Sequence, residues 1–264
     1  MTTSDVQIRC GDILEVARSI TAGSVDLVFA DPPFNLGKEY SHTDDDLGRN
    51  EYIEWTRSWL RACANLLKNT GSVYVMTIQK DIWIYQQLLE EMGFLFRNII
   101  AWKNSSMPIK NRYCINYQPI IYFTKTDEYT FNCKAESHIS NAALPWGRKN
   151  KGNLMIDQWN DIPYVSGGCM AAKEAIFESG TKKKAHPCQM PVRLAERVVK
   201  FSSNPGDLVL DPFVGSGTTA EACLRLGRRF IGVDVSPEYC AIANARLERA
   251  ADTLFETSKE VLTE

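Results

Sequence analysis

Short apolar runs alternate with longer stretches of helical periodicity along this chain, and that alternation restricts it to an α/β architecture. Val25–Ala30 (VDLVFA) is a continuous apolar run that stops at Asp31-Pro32-Pro33. Over 51–67, Trp55, Trp59, Leu60, Cys63 and Leu67 recur near one helical face. Strands are predicted over 72–77, 98–103 and 119–124, with a helix over 81–92 that Gly93 closes. Later come a helix over 191–201, a strand over 208–210, a helix over 218–226 and a strand over 230–235. Strands separated by helices imply a doubly wound, mostly parallel sheet covered on both faces. Between 126 and 185 the periodicity dissolves, as in irregular segments that carry function. The polar tail from Ala251 is expected to fray.

Composition narrows the class. With 264 residues, 44% hydrophobic and 23% charged, the chain has ample core and an ordinary globular balance. No apolar run reaches the roughly 18 residues of a membrane span. No basic-then-apolar leader opens the sequence, so a cytoplasmic location and no membrane partner are expected. Eight scattered cysteines form no C-x-x-C pair, which points to free thiols and no metal. The net charge of -2 hides a pattern. Residues 1–96 hold 8 Lys+Arg and 14 Asp+Glu, residues 97–200 hold 16 and 8, and residues 201–264 hold 6 and 10. The basic excess of the middle third fits either a nucleic-acid face or a solvated basic surface.

Two motifs carry chemistry. Asp211-Pro212-Phe213-Val214-Gly215-Ser216-Gly217-Thr218-Thr219 follows a strand and opens a helix. Its glycines let backbone approach a ligand, and Asp234, ending the next strand, is placed to accept ribose hydroxyls. This describes an adenosine-containing cofactor. Gly215-x-Gly217-x-x-Ala220 also satisfies the loose dinucleotide fingerprint, which leaves a nicotinamide oxidoreductase open. The second motif is Asp31-Pro32-Pro33-Phe34. It combines a carboxylate, carbonyls without competing N–H groups, and an aromatic face, a set suited to a planar ring bearing an NH2.

In order along the chain, Asp31-Pro32-Pro33-Phe34, a basic region, His186-Pro187-Cys188-Gln189-Met190-Pro191 and the glycine loop resemble the permuted (β-class) DNA amino-methyltransferases, N6-adenine and N4-cytosine. The resemblance implies a class I methyltransferase-like sheet of seven strands. Residues 1–125 would form its catalytic half, 126–185 a target-recognition insertion, 186–250 its cofactor half and 251–264 a tail. It implies S-adenosylmethionine as cofactor, with Asp12, His186, Gln189, Asp211, Phe213, Gly215, Ser216, Gly217, Thr218, Thr219 and Asp234 around it. Asp31, Pro32, Pro33 and Phe34 would hold a flipped base. DNA is the implied partner; dimerisation is a family-level expectation, and a restriction partner is left unspecified. Asp31 leans toward adenine, with N4-cytosine as the alternative. A non-catalytic nucleic-acid-binding subunit is a more distant reading.

Lys103, Lys110, Arg112, Arg148, Lys149, Lys151 and Lys182 to Lys184 are the candidates for phosphate contact. Tyr113, Tyr117, Trp146, Trp159 and Tyr164 are candidates for stacking or core packing, whereas Trp102, in a predicted strand, is expected in the core. The segment 35–50, with Asp44-Asp45-Asp46, is expected to be a mobile acidic flap over the site.

Overall fold

The computed structural model describes residues 5–38, 45–107, 110–111, 113–133, 136, 155–163, 176 and 189–261; side chains of 104–107 and 256–261 are not described. In chain order the elements are β1 (Val6–Cys10), α1 (Ile13–Val16), β2 (Val25–Ala30), α2 (Arg49–Leu66), β3 (Leu67–Met76), α3 (Ile82–Glu91), β4 (Leu95–Met107) and β5 (Ile115–Thr124). They are followed by β6 (Gln158–Trp159), α4 (Val192–Ser202), β7 (Leu208–Asp211), α5 (Thr218–Leu226), β8 (Arg229–Asp234) and α6 (Pro237–Val261).

The strands form a single sheet in the order β1-β8-β7-β2-β3-β5-β4-β6. Among the described residues only the two pairings of β5 are antiparallel. The apolar run of β2 is explained by its place at the centre. Leu27 and Phe29 pack on the face covered by α4, α5 and α6, Val28 and Ala30 on the face covered by α2 and α3, and all four are fully buried. The predicted elements are all present, with longer strands at β3, β4 and β5.

Three expectations change. The sheet has eight strands, because Gln158–Trp159, inside the segment expected to be irregular, pairs in parallel with Ala101 and Trp102. Two residues are too few to show a period. They are anchored from below: the buried Arg197 of α4 binds Asp161 at 2.6 Å and Glu136 at 2.9 Å, and its guanidinium lies 5.1 Å from the Trp159 ring centroid. The tail does not fray at Ala251 but continues α6 to Val261. The acidic segment is not uniformly exposed, as shown below. Trp102 is in the core as expected, its indole N–H donating to the Ile162 carbonyl. Among the described residues no helix is long and apolar enough to cross a membrane, and the six described cysteines are free thiols.

The chain leaves β7 for α5 on one face and β2 for α2 on the other. Adjacent parallel strands whose connections diverge leave a crevice at their carboxyl ends.

Candidate active site

That crevice is an open cleft built from the ends of four neighbouring strands. β2 contributes Asp31, Pro32, Pro33 and Phe34; β7 contributes Pro212 through Ser216, with Thr218 at the start of α5; β8 contributes Asp234 through Ser236; β1 contributes Gly11 to Ile13. The two motifs, 180 residues apart, meet because β2 and β7 pair directly, Leu27 with Val209 and Val28 with Leu210.

The glycine loop is held shut by its own carboxylates. The Phe213 amide donates to Asp211 Oδ1 at 3.0 Å and the Gly215 amide to Asp234 Oδ2 at 3.0 Å. The Val214 amide donates to the Val233 carbonyl, and Gly217 N–H to the Val214 carbonyl. Asp234 Oδ1 also accepts the Ser236 amide at 2.9 Å, so its carboxylate is fixed at the rim. Gly217 caps α5 in the left-handed conformation (φ 81°), where a Cβ would stand 2.9 Å from Ala243 Cα of α6.

Electrostatically the cleft is acidic. Asp12, Asp31 and Asp234 line it, and its described lining contains no Lys or Arg. Burial first, then the neighbouring Asp211, pushes the Asp31 carboxyl up to about 7, against a lowering by Lys38. Burial likewise raises Asp211, at the end of β7, to about 7.

Of the residues singled out in sequence, Asp12, Asp31, Pro32, Pro33, Phe34, Phe213, Gly215, Ser216, Thr218 and Asp234 come together on this cleft. Asp12 also caps α1 through the Leu14 amide at 2.7 Å. Asp211, Gly217 and Thr219 sit behind the lining: Asp211 and Thr219 are buried, and Gly217 seats α5 on α6. Gln189 accepts the Ile176 amide at 3.2 Å and is not a lining residue, whereas Met190 beside it is. His186, Arg112, Arg148, Lys149, Lys151 and Lys182 to Lys184 lie outside the described residues, as do Trp146 and Tyr164. Lys103 and Lys110 are exposed, Tyr113 is 96% exposed, and Trp159 is buried.

Sequence reasoning missed Trp55, Tyr239 and Ser236 on the lining. Trp55 has the spacing of a core helix residue, and it does pack on Phe213, whose other edge meets Trp59. It also misread Asp45. This residue is 4% exposed, and its carboxylate accepts the amides of Asn35, Leu36 and Lys38 at 2.7 to 3.0 Å. Asn35 exchanges two further hydrogen bonds with the Leu47 backbone. The described residues of the expected flap, 35–38 and 45–47, are therefore tied to one another around a buried carboxylate.

The DNA methylase family (N6_N4_Mtase) matches residues 25–245, from β2 into α6. The chain belongs to this family. Among curated members, this DNA methylase is 33% identical over 247 residues to the type II methyltransferase M.HpaI of Haemophilus parainfluenzae, covering 92% of this chain and 74% of the relative. It is 31% identical over 250 residues to the DNA adenine methyltransferase YhdJ of Escherichia coli K12, covering 91% and 82%. Among solved structures, the PvuII cytosine-N4-specific DNA methyltransferase superposes with a TM-score of 0.68 at 25% identity, covering 93% of this chain and 90% of that one. The complex of M1.HpyAVI with SAM gives 0.60 at 26% identity, covering 91% and 98%.

Proposed function

We propose that this DNA methylase transfers the methyl group of S-adenosylmethionine to the exocyclic N6 of an adenine turned out of the DNA helix. The observation that carries the reading is the meeting of the Asp31–Phe34 turn and the glycine loop on one acidic cleft.

The residues fit a sulfonium cofactor better than a dinucleotide. Asp12, Asp31 and Asp234 suit a cation, and Asp234 is held where it can accept ribose hydroxyls. A pyrophosphate would face the same carboxylates, with the amides of Phe213, Val214, Gly215 and Gly217 already committed within the protein. This disfavours the nicotinamide reading. When bound, S-adenosylmethionine supplies an electrophilic methyl group.

The chain supplies the rest. An exocyclic amine is a poor nucleophile because its lone pair is delocalised into the ring. Ionised Asp31 accepts one N–H and the Pro32 carbonyl the other, which favours a tetrahedral nitrogen with a localised lone pair. Preorganised acceptors of this kind are commonly the largest catalytic contribution. Phe34 stacks on the extruded base and returns about 1–3 kcal/mol of the unstacking cost. Lys103 and Lys110 add phosphate contacts.

Adenine is favoured by the carboxylate at position 31 and by the likeness to YhdJ. The likeness to the PvuII enzyme favours N4-cytosine as the second reading. Nucleoside mass spectrometry on plasmid DNA from expressing cells decides between them. N6-methyladenine that disappears with Asp31→Ala is the expected result; N4-methylcytosine would replace the reading.

A further inference from the structure

The turn at Asp31–Phe34 has an unusual weakness. Neither Pro32 nor Pro33 has a backbone N–H, so the turn cannot brace its own carbonyls. A donor must come from elsewhere, and α2 provides one: the Tyr52 hydroxyl donates to the Pro33 carbonyl at 3.0 Å. Behind it stands the Tyr85 hydroxyl of α3, 2.8 Å away. A phenol has one proton. Tyr52 spends its proton on the carbonyl, so Tyr85 is the donor between the two. The order of donation runs one way, from Tyr85 to Tyr52 to Pro33. Both tyrosines are buried, at 2% and 0% exposure, and burial pushes the Tyr52 hydroxyl up to about 12 and Tyr85 well above its ordinary range. Both therefore stay protonated donors.

We propose that Tyr52, backed by Tyr85, is a positioning residue for methyl transfer: by holding the Pro33 carbonyl it sets the orientation of Phe34 and leaves the Pro32 carbonyl for the base. The Pro33 carbonyl and the Phe34 amide belong to one rigid peptide plane. Fixing the carbonyl fixes the Phe34 amide and Cα, the base from which its ring projects. The Tyr52 ring is itself stacked on Trp55 of the cleft lining, with centroids 5.7 Å apart, so the hydroxyl is not free to wander. The inference rests on the reading of Asp31–Phe34 as the base-holding turn.

Three variants test it: Tyr52→Phe, Tyr85→Phe and Asp31→Ala, each measured for kcat on saturating DNA, for S-adenosylmethionine affinity by calorimetry and for melting temperature. Tyr52→Phe keeps the ring and removes the donor. It is expected to lower kcat by about tenfold or more, in line with the sensitivity of transfer to small misplacements. Cofactor affinity is expected to stay within about twofold, because the glycine loop is untouched. Tyr85→Phe is expected to lose less, since Tyr52 retains its proton for the carbonyl. A Tyr52→Phe kcat within about twofold of the parent overturns the proposal, and so does a fall in cofactor affinity that matches the fall in kcat. Activity in Asp31→Ala would instead overturn the base-site reading beneath it. An inactive Asp31→Ala beside a fully active Tyr52→Phe would overturn this inference alone.

Discussion

Replacing Gly217 by alanine probes the joint that seats α5 behind the glycine loop. Two costs arise there. The backbone is left-handed at φ 81°, and a new Cβ would lie 2.9 Å from Ala243 Cα, 3.0 Å from its Cβ and 3.3 Å from its carbonyl oxygen. The first is a conformational penalty of about 1 kcal/mol. The second is overpacking against backbone that cannot rotate away, about 1–3 kcal/mol more. Gly206 is the matched control, with φ 86° and nothing within 4 Å of its Cβ. Gly217→Ala should therefore cost about 2–4 kcal/mol and Gly206→Ala about 1 kcal/mol. At roughly 2–4 °C per kcal/mol for a chain of this size, the first lowers Tm by roughly 4–16 °C and the second by roughly 2–4 °C. Scanning calorimetry reads both. Titration with S-adenosylmethionine should show weakened binding only for Gly217→Ala, because displacing α5 drags Gly215 and Ser216 with it. Equal losses at the two positions would mean that backbone strain alone matters and that the approach of α6 does not hold the loop.

The remaining expectations concern charge. If ionised Asp31 orients the amine, the methylation rate should climb as pH rises through about 7, where its carboxyl titrates. Asp211→Asn removes a like charge and should move that rise to lower pH; an unmoved midpoint would refute the coupling. Stability runs the other way. Asp31 and Asp211 hold protons up to about 7 in the fold but lose them near the ordinary 3.8 in the unfolded chain. The folded form binds more protons in that window, so cofactor-free stability should fall from about pH 4 to pH 7, and Asp31→Asn should flatten the slope in denaturant titrations. Arg197→Ala strips the buried counterion from Asp161, whose carboxyl its guanidinium holds down at about 2, and leaves only the more exposed Arg193 at 3.0 Å. It should cost roughly 2–3 kcal/mol, less than a fully buried pair because Asp161 is 38% exposed. Faster proteolytic cleavage within 155–163 is the measurement.

What the sequence discloses follows from how local each signal is. The helix over 218–226 is bounded by Gly217 and Gly227, both left-handed, and was read to the residue. The Asp31–Phe34 turn was legible because two prolines end an apolar run abruptly. β1 gave no prediction: it is a five-residue edge strand alternating Val6 and Ile8 with Gln7 and Arg9, close to the chain start. α6 was equally silent, since among its described side chains the buried apolar stripe is narrow, Cys240, Ala243, Leu247 and Ala250. Asp45 looks like its neighbours Asp44 and Asp46 in a run of acids. Nothing local says that three amides seven to ten residues upstream close around it. Trp55 reads as an ordinary packing aromatic and Tyr52 carries no signal for the same reason, as their partners Phe213, Pro33 and Tyr85 are distant in sequence.

The pairing of β2 with β7 has an evolutionary corollary. One strand ends at Ala30 and the other begins at Leu208, yet they are hydrogen-bonded neighbours, and Asp26 bridges their far ends by binding Lys68 of β3 and the Leu208 amide. The two motifs are thus spaced by a ladder and not by the tether joining them. Lengthening that tether is inexpensive, since each doubling of a flexible excursion adds only about 0.6 kcal/mol. Residues can be added to the chain between β5 and β7 while the distance between the Asp31–Phe34 turn and the glycine loop stays constant.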